Sequence, residues 1–325
     1  MRAVCWLFGT LLLAACSAAG PRPAVGAQAS STVPSSGGDG AVDGELRMMT
    51  FNIRYGTAQD GENHWRHRKD LVAATISESA PHVLAIQEGL GFQMDYLAAK
   101  CPGYQALGQH RNGGKKGEFS GLLVAEARLH VVDWGQFWLS PTPQAVASKG
   151  WDAALPRTAV WARLRERCAA GEEDDFIVLG THFDHRGVLA REESARLIVR
   201  RMDEVRRIRR MEGEPSSAGV QGKPLPVVLM GDFNSRPGTV PMAVLEQAGY
   251  LNAVPLFHSD SSNGGTFHRF DGYHTGGMID SIWCSRSWQP SAARILRPRR
   301  DGRSASDHDP VYAEWRSAPR VPRDG

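Results

Sequence analysis

The sequence predicts an α/β fold, and three observations support this. Short apolar runs typical of buried strands alternate with helical periodicity, and polar clusters follow several of the runs. The length of 325 residues suffices for one large domain with additional terminal segments. The composition, 42% hydrophobic and 22% charged, excludes disordered and fibrous classes. The formal net charge of +3 does not by itself indicate a nucleic-acid-binding protein.

The first sixteen residues have the pattern of an export signal. Arg2 precedes an apolar stretch over residues 3–15, which is shorter than the ~20 residues that a transmembrane helix needs. The sequence Leu13-Ala14-Ala15-Cys16 resembles the lipobox of bacterial lipoproteins. We therefore expect residues 1–16 to end in a lipidated Cys16 that anchors an exported protein to a membrane of the cell envelope. The alternative is simple secretion, with cleavage near Ala29.

The remaining chain divides into a tether, a domain and a tail. Residues 17–44 are dominated by Ala, Gly, Pro and Ser, a composition that predicts a flexible tether. The folded domain is expected over residues 45–317, followed by a tail over residues 318–325.

Three cysteines fall within the predicted domain: Cys101, Cys168 and Cys284. In an oxidising compartment they permit at most one intramolecular disulfide, and their spacing does not indicate a zinc site. Buried free thiols are an equally good interpretation.

The elements follow in chain order. Five apolar runs are predicted as strands, over residues 46–53, 82–87, 176–181, 225–230 and 311–315. Helices are predicted over residues 69–79 and about 191–210. On the second helix, apolar residues recur at three- and four-residue steps and form one buried face. Its arginines fall largely on the other face, which favours a solvated surface over a polyanion groove.

Polar clusters stand at or just after the ends of apolar runs, where sites are built in α/β folds. The clusters are Asn52, Glu88, His182 to His185, Asp232 to Asn234, Asp280, and Asp307 to Asp309. They are the candidates for a functional site.

These clusters contain the residue types that hydrolysis of a phosphate ester requires: a hard cation's ligands, a base and groups that stabilise developing charge. Glu88 suits Mg²⁺, which needs only one or two protein carboxylates. Asp232 and Asn234 alternate with one aromatic residue, so they can point to the same side and hold a water and a phosphate oxygen. Asp280 can fix the tautomer of His308 by accepting its second N–H.

Six short motifs stand in the order of the endonuclease/exonuclease/phosphatase superfamily. They are Thr50-Phe51-Asn52-Ile53-Arg54, Ile86-Gln87-Glu88, Gly180-Thr181-His182, Gly231-Asp232-Phe233-Asn234, Ile279-Asp280-Ser281-Ile282 and Ser306-Asp307-His308-Asp309-Pro310. The match covers about residues 45–317. Within the superfamily, the sequence resembles an uncharacterised bacterial branch. The resemblance implies a four-layer α/β sandwich, with two central mixed β-sheets flanked by helices and the site at one edge.

By position, the resemblance implies that Glu88 is the principal metal ligand and that Asn52 and Asp307 are ligands or their close neighbours. The implied cofactor is Mg²⁺, with Mn²⁺ as the alternative. Asp232, helped by Asn234, would orient or deprotonate the attacking water.

The resemblance also implies roles for two histidines. His308, paired with Asp280, would bind the phosphate and stabilise the transition state. The sequence Lys116-Gly117-Glu118-Phe119 resembles the deoxyribonuclease region that supplies a glutamate partner to a second histidine. Glu118 and His182 would therefore form an acid pair for the leaving oxygen.

Three further residues are substrate-binding candidates. Arg157 resembles a phosphate-contacting arginine, whereas Asp184 and His185 are either substrate contacts or strand-end hydrogen-bonding groups. Arg54 stands where abasic-site repair endonucleases carry an acidic or amide residue, which disfavours that branch. For the tryptophans of residues 137–141 and 150–152, packing is favoured over stacking on substrate.

The leading interpretation is an exported, lipid-anchored, Mg²⁺-dependent phosphodiesterase or phosphatase. Extracellular nucleic acid, a phospholipid head group and a phosphorylated sugar are the candidate substrates, and no protein partner is implied. The alternative is a catalytically inactive, surface-anchored binding module with the same fold. Because the site residues from Glu88 to His308 are intact, this alternative is disfavoured.

Overall fold

The structure is a computed structural model that describes residues 45–169, 174–208, 224–258, 264–272 and 277–316. The predicted signal with Cys16, the tether and the tail over residues 318–325 lie outside the described residues, as does the end of the second predicted helix at residues 209–210.

The described residues form fourteen strands and four α-helices. The strands are β1 Leu46–Asn52, β2 Val83–Gly89, β3 Tyr104–Leu107, β4 Phe119–Ala125, β5 Leu129–Trp138, β6 Thr158–Glu166, β7 Phe176–His182, β8 Val227–Asp232, β9 Tyr250–Asn252, β10 Asp280–Ser285, β11 Ala292–Ile295, β12 Arg299–Arg300, β13 Arg303–Ser304 and β14 Val311–Trp315. The helices are α1 Trp65–Ser79, α2 Gly91–Lys100, α3 Val188–Ile208 and α4 Val240–Gln247.

Two mixed six-stranded sheets form the centre of the domain. The strand order is β11-β14-β1-β2-β4-β3 in the first sheet and β5-β6-β7-β8-β10-β9 in the second. Strands β12 and β13 form a separate hairpin.

Side chains alternate between the faces of each sheet and so create three apolar layers. Met48 of β1 and Val178 of β7 belong to one core cluster between the sheets. Met49, the next residue of β1, packs in the cluster that contains Ile76 of α1. Leu179 packs with residues of α3 beneath the second sheet. The predicted four-layer α/β sandwich is confirmed.

Strand direction brings the polar clusters to one edge. Strand β1 is parallel to β2, and β7 is parallel to β8. Strand β14 is antiparallel to β1, and β10 is antiparallel to β8. The carboxyl ends of the parallel strands therefore lie beside the amino ends of β10 and β14.

A close approach of the two sheets near this edge depends on Gly180. A Cβ at this position would lie 2.9 Å from Leu122 Cδ2 and 3.3 Å from Ala85 Cβ in the facing sheet. Since a larger residue would force the sheets apart, glycine keeps the ends of β7 and β2 close together.

Both predicted helices begin earlier in the structure than the periodicity indicates. Helix α1 begins at Trp65, and the side chain of His64 caps it by accepting from the amide of Arg66. Helix α3 begins at Val188, and the carboxylate of Asp152 accepts from the amides at its start, including that of Ala190 at 2.7 Å. Histidine is an uncommon cap and Asp152 is remote in sequence, so neither start carried a local signal.

The outer face of α3 is solvated, as predicted. Arg196 pairs with Glu192 at 2.6 Å, and Arg201 pairs with Glu204 at 2.7 Å. These i,i+4 and i,i+3 pairs are typical of an exposed helix surface.

Cys101, Cys168 and Cys284 are all free thiols, so the alternative without a disulfide is the one found. In the part of the chain that the structure describes, no helix has the length and apolarity required to cross a bilayer.

Candidate active site

Asn52 joins the ends of the two sheets. Its Nδ2 donates to Glu88 Oε1 and to Asp232 Oδ2, both at 3.0 Å. Its Oδ1 accepts from the amide of Arg54 at 3.0 Å. In this arrangement Asn52 positions a carboxylate from each sheet, and ligation of a metal by its oxygen stays a prediction.

Three residues at this edge have left-handed backbone conformations, with φ of 56° at Arg54, 64° at Glu88 and 47° at Asn234. Such conformations are uncommon for residues other than glycine and persist where the surroundings hold them. At two of them an amide hydrogen bond supports the conformation: the amide of Asn234 donates to Asp232 Oδ1 at 2.8 Å and that of Arg54 donates to Asn52 Oδ1 at 3.0 Å. The tight turns keep the polar groups at the strand ends.

Glu88 and Asp307 are the carboxylates that the family resemblance implies for a hard cation, and Asp307 Oδ2 lies 3.6 Å from Arg54 Nε. Burial alone would raise the pKa of Glu88, but the charge of His308 and hydrogen bonds from Asn52 and the Tyr55 amide keep it below its usual value. Burial and the negative charge of Glu88 raise the pKa of Asp307, although His308 opposes this. Clustered oxygen donors that repel one another fit Mg²⁺ or Mn²⁺.

Asp232, Asp280 and His308 offer a second group of donors, all buried, with ligand atoms within 4.8 Å of one another. However, His308 Nδ1 is already 2.8 Å from Asp280 Oδ2. Since a cation in this group would compete with that hydrogen bond, we favour the oxygen donors of Glu88 and Asp307.

The pairing of His308 with Asp280 holds a positive charge at the site, in the geometry expected from the sequence. Burial alone would lower the pKa of His308, but the carboxylates of Asp280, Asp232 and Asp307 raise it well above its usual value. The imidazole is therefore protonated at neutral pH, and its Nε2–H can stabilise negative charge on a phosphoryl group.

Asp232 has the protonation behaviour of a general base. Burial and the negative charge of Asp280 raise the pKa of Asp232 to about 7. A base is most effective when its pKa lies near the working pH. Neighbouring Asn234 donates from Nδ2 to the carbonyl of Phe183 at 3.0 Å, so its side chain bridges the ends of β7 and β8.

His182 is neutral in this environment. Arg157 Nη1 lies 2.9 Å from His182 Nδ1. Because arginine only donates, Nδ1 is the acceptor and Nε2 carries the proton, 3.5 Å from Asp232 Oδ2. Burial and the charge of Arg157 lower the pKa of His182 well below its usual value.

Glu118 lies behind Arg157. Its Oε2 accepts from Arg111 Nη1 at 2.6 Å and lies 3.8 Å from Arg157 Nη1. The link that the resemblance implies between Glu118 and His182 therefore runs through Arg157. The buried guanidinium of Arg157 is shared among Glu118, His182, His185 and Asp184, whose Oδ2 lies 3.8 Å from Arg157 Nε.

The two other substrate-binding candidates have different surroundings. Asp184 is buried, and its carboxylate accepts from the amides of Leu155, Arg186 and Gly187 at 2.7–3.1 Å. This is the strand-end hydrogen bonding that was one of the two interpretations. His185 is exposed, and its Nδ1 lies 3.2 Å from Arg157 Nη2, so it remains available to contact a substrate.

Arg68 is a buried residue of the site that the sequence analysis missed. Its guanidinium donates to the carbonyls of Ile53 at 2.5 Å, Arg54 at 2.9 Å and Ala305 at 3.0 Å. It therefore connects the segment after β1 with the one before Asp307. A charged residue on the apolar face of α1 was the sequence signal that could have revealed it.

The tryptophans have packing roles in the structure. Trp138 is buried, and its Nε1 donates to the carbonyl of Arg111 at 2.8 Å. Trp151 packs against the apolar cluster beneath the second sheet.

A family profile described as Endonuclease/Exonuclease/phosphatase family matches residues 49–308, which is most of the chain. A search of curated protein sequences gave no significant match.

Solved structures with this fold are numerous. An endonuclease/exonuclease/phosphatase from Bacteroides vulgatus is 28% identical with a TM-score of 0.70, and the alignment covers 84% of this chain and 99% of that one. A mannosyl-6-phosphatase from Bacteroides thetaiotaomicron is 29% identical with a TM-score of 0.69, covering 83% of this chain and 98% of that one. The human Nocturnin catalytic domain shares the fold, with 17% identity and a TM-score of 0.63. The alignment covers 84% of this chain and 94% of that one.

Proposed function

The chain belongs to the endonuclease/exonuclease/phosphatase family, and on this basis we propose that it is a Mg²⁺-dependent hydrolase of phosphate esters. The observation that carries the proposal is the meeting of Glu88, Asp232 and the His308–Asp280 pair at one edge. These residues come from both sheets. The buried base Asp232 lies beside the buried, protonated imidazole of His308.

Each residue has a distinct part in the proposed reaction. Glu88 and Asp307 would hold the metal ion, which supplies a Lewis acid for a phosphoryl oxygen. Asp232 accepts a proton from the attacking water. Protonated His308 and Arg157 donate hydrogen bonds to the charged phosphoryl oxygens. His182 presents its Nε2–H to the leaving oxygen of the ester.

The nature of the reaction can be tested with the purified protein starting at residue 45. It should hydrolyse a generic aryl phosphomonoester or phosphodiester with Mg²⁺ and lose this activity with chelator. Absence of metal-dependent turnover on a broad phosphate ester panel would favour the inactive binding module instead.

Among the candidate substrates, a phosphorylated sugar comes first. The support is the similarity to a mannosyl-6-phosphatase at 29% identity over 98% of that chain. Nucleic acid and phospholipid head groups remain on the substrate panel. A panel that includes a hexose 6-phosphate, an oligonucleotide and a phospholipid would rank the three directly.

Replacement of Glu88 by Gln should weaken Mg²⁺ affinity at least about 10-fold. Even loss of a residue that only hydrogen-bonds to a metal ligand typically lowers metal affinity by about 10–100-fold. The amide keeps the shape but removes the charge that holds a hard cation. Titration of activity and of Mn²⁺ binding would measure the change, and excess metal should partly restore turnover. The control is Glu78→Gln, since the side chain of Glu78 is 73% exposed. Unchanged metal dependence in Glu88→Gln would contradict the ligand assignment.

We further propose that the enzyme is exported and anchored through lipid on Cys16, as the N-terminal sequence pattern suggests. Replacement of Cys16 by Ser should release the protein from the membrane fraction and leave its hydrolytic activity intact, because only the thiol can be acylated at this position. Fractionation followed by an activity assay tests this. A Cys16→Ser protein that still sediments with membranes would show that another feature anchors it.

A further inference from the structure

The segment 264–272 is fixed to the catalytic motif by its backbone. The amide of His268 donates to the carbonyl of Asp307 at 2.9 Å, and the amide of Asp309 donates to the carbonyl of Thr266 at 2.7 Å. Between these bonds, Phe267 and His308 form an antiparallel β-bridge. Side chains of this segment are therefore held beside His308.

Phe267 packs against the catalytic imidazole with its ring tilted by 42°, and Arg269 lies beside Phe267. The ring centroids of Phe267 and His308 are 4.7 Å apart. The guanidinium carbon of Arg269 lies 5.5 Å from the centroid of the Phe267 ring. Phe267 is partly exposed and Arg269 is exposed. Within the described ranges, Arg269 forms no ion pair, so its charge is available to a ligand.

The backbone at this point is strained. Arg269 and Phe270 are consecutive residues with φ of 50° and 65°, although neither is glycine. The Phe270 ring is held against the guanidinium of Arg68, at 5.6 Å. Because Arg269 is exposed, packing of its side chain does not explain why the chain places a charged residue in this conformation. Retained strain of this kind is typical of functional positions.

We propose that Phe267 and Arg269 form a subsite beside His308 for a second anionic group of the substrate, in particular a second phosphate. Arg269 offers two parallel N–H donors that match a phosphate, and the exposed part of the Phe267 ring offers an apolar surface to the carbon skeleton between the two phosphates. The inference rests on the proposed function, since it places the scissile phosphate at His308.

The test compares mannose 6-phosphate with mannose 1,6-bisphosphate. The wild-type protein should show a higher kcat/KM for hydrolysis at the 6-position of the bisphosphate, by roughly 10–100-fold, the effect of a charge-assisted hydrogen bond. In Arg269→Gly this ratio should fall to about one, with a much smaller loss on the monophosphate. Glycine adopts the left-handed conformation freely, so this variant should fold. The control is Arg200→Gln, on the exposed outer face of α3 and twelve residues beyond its start.

Two results would overturn the subsite: equal kcat/KM of the wild-type protein on both sugars, or an unchanged ratio in Arg269→Gly, which means equal losses on both sugars. If the wild-type protein hydrolyses neither sugar, calorimetry of their binding decides. Tighter binding of the bisphosphate that disappears in Arg269→Gly would support the subsite while the proposed sugar phosphatase activity fails. Equal binding of the two sugars would overturn the subsite as well.

Discussion

Replacement of Asp232 by Asn should lower kcat by roughly 10²–10⁴-fold, the range typical for loss of a general base. The amide keeps the hydrogen bond distance to Asn52 but cannot take a proton from water. Steady-state kinetics on an aryl ester at saturating Mg²⁺ would measure the loss. A matched control is Asp203→Asn on α3, where the side chain is 51% exposed. A loss below about tenfold would contradict the assignment of Asp232 as the base.

The same residue should determine the acid limb of the pH profile. Asp232 must be deprotonated to act, so activity falls as the pH drops through its pKa, which is raised to about 7 without metal. The negative charge of Asp280 raises the pKa of both Asp232 and His308. Asp232 sets the acid limb, and loss of the proton from His308 sets the alkaline limb. Asp280→Asn should therefore shift both limbs to lower pH, when the profiles are compared at one saturating Mg²⁺ concentration. Limbs that do not move would show that these two groups do not control the profile.

The second large effect is expected from His182 and His308, which should respond differently to the leaving group. If His182 protonates the departing oxygen, His182→Ala should reduce kcat/KM for alkyl esters by roughly 10²–10⁴-fold and largely spare aryl esters of low leaving-group pKa. His308 stabilises charge on the phosphoryl oxygens, which develops whatever group leaves. His308→Ala should therefore depress both esters similarly, and Asp280→Asn should cause a milder form of the same loss.

The surroundings of His182 make this comparison decisive. Its pKa is lowered by burial and by Arg157, so it is neutral before a substrate binds. To act as an acid, His182 would need the negative charge of the bound phosphate to raise its pKa. Equal losses on alkyl and aryl esters in His182→Ala would refute the acid role. His182 would then be a hydrogen-bond donor that uses its Nε2–H without transferring the proton.

The sequence by itself determined the α/β class, several of the strands and most of the candidate site residues, and the layered two-sheet arrangement was expected from the family resemblance. Strand boundaries followed from apolar runs, and strand β14 was predicted at its observed bounds of Val311–Trp315. Asn52, Glu88, Asp232 and His308 could be identified because each stands at or beside the end of such a run. Alternation of side chains along a strand is a local property, so residues near one another in sequence suffice to predict it.

Only the tertiary structure decided which groups touch and which are charged. Several contacts join segments that are distant in sequence. Arg157 lies between Glu118 and His182, and Arg68 donates to the carbonyl of Ala305. The Phe267 ring packs at a tilt against His308. The opposite pKa shifts of His182 and His308 arise from the same burial with different neighbours, a guanidinium for one and carboxylates for the other. Charge interactions depend on distance and solvent exclusion, and neither is fixed until the two sheets pack together.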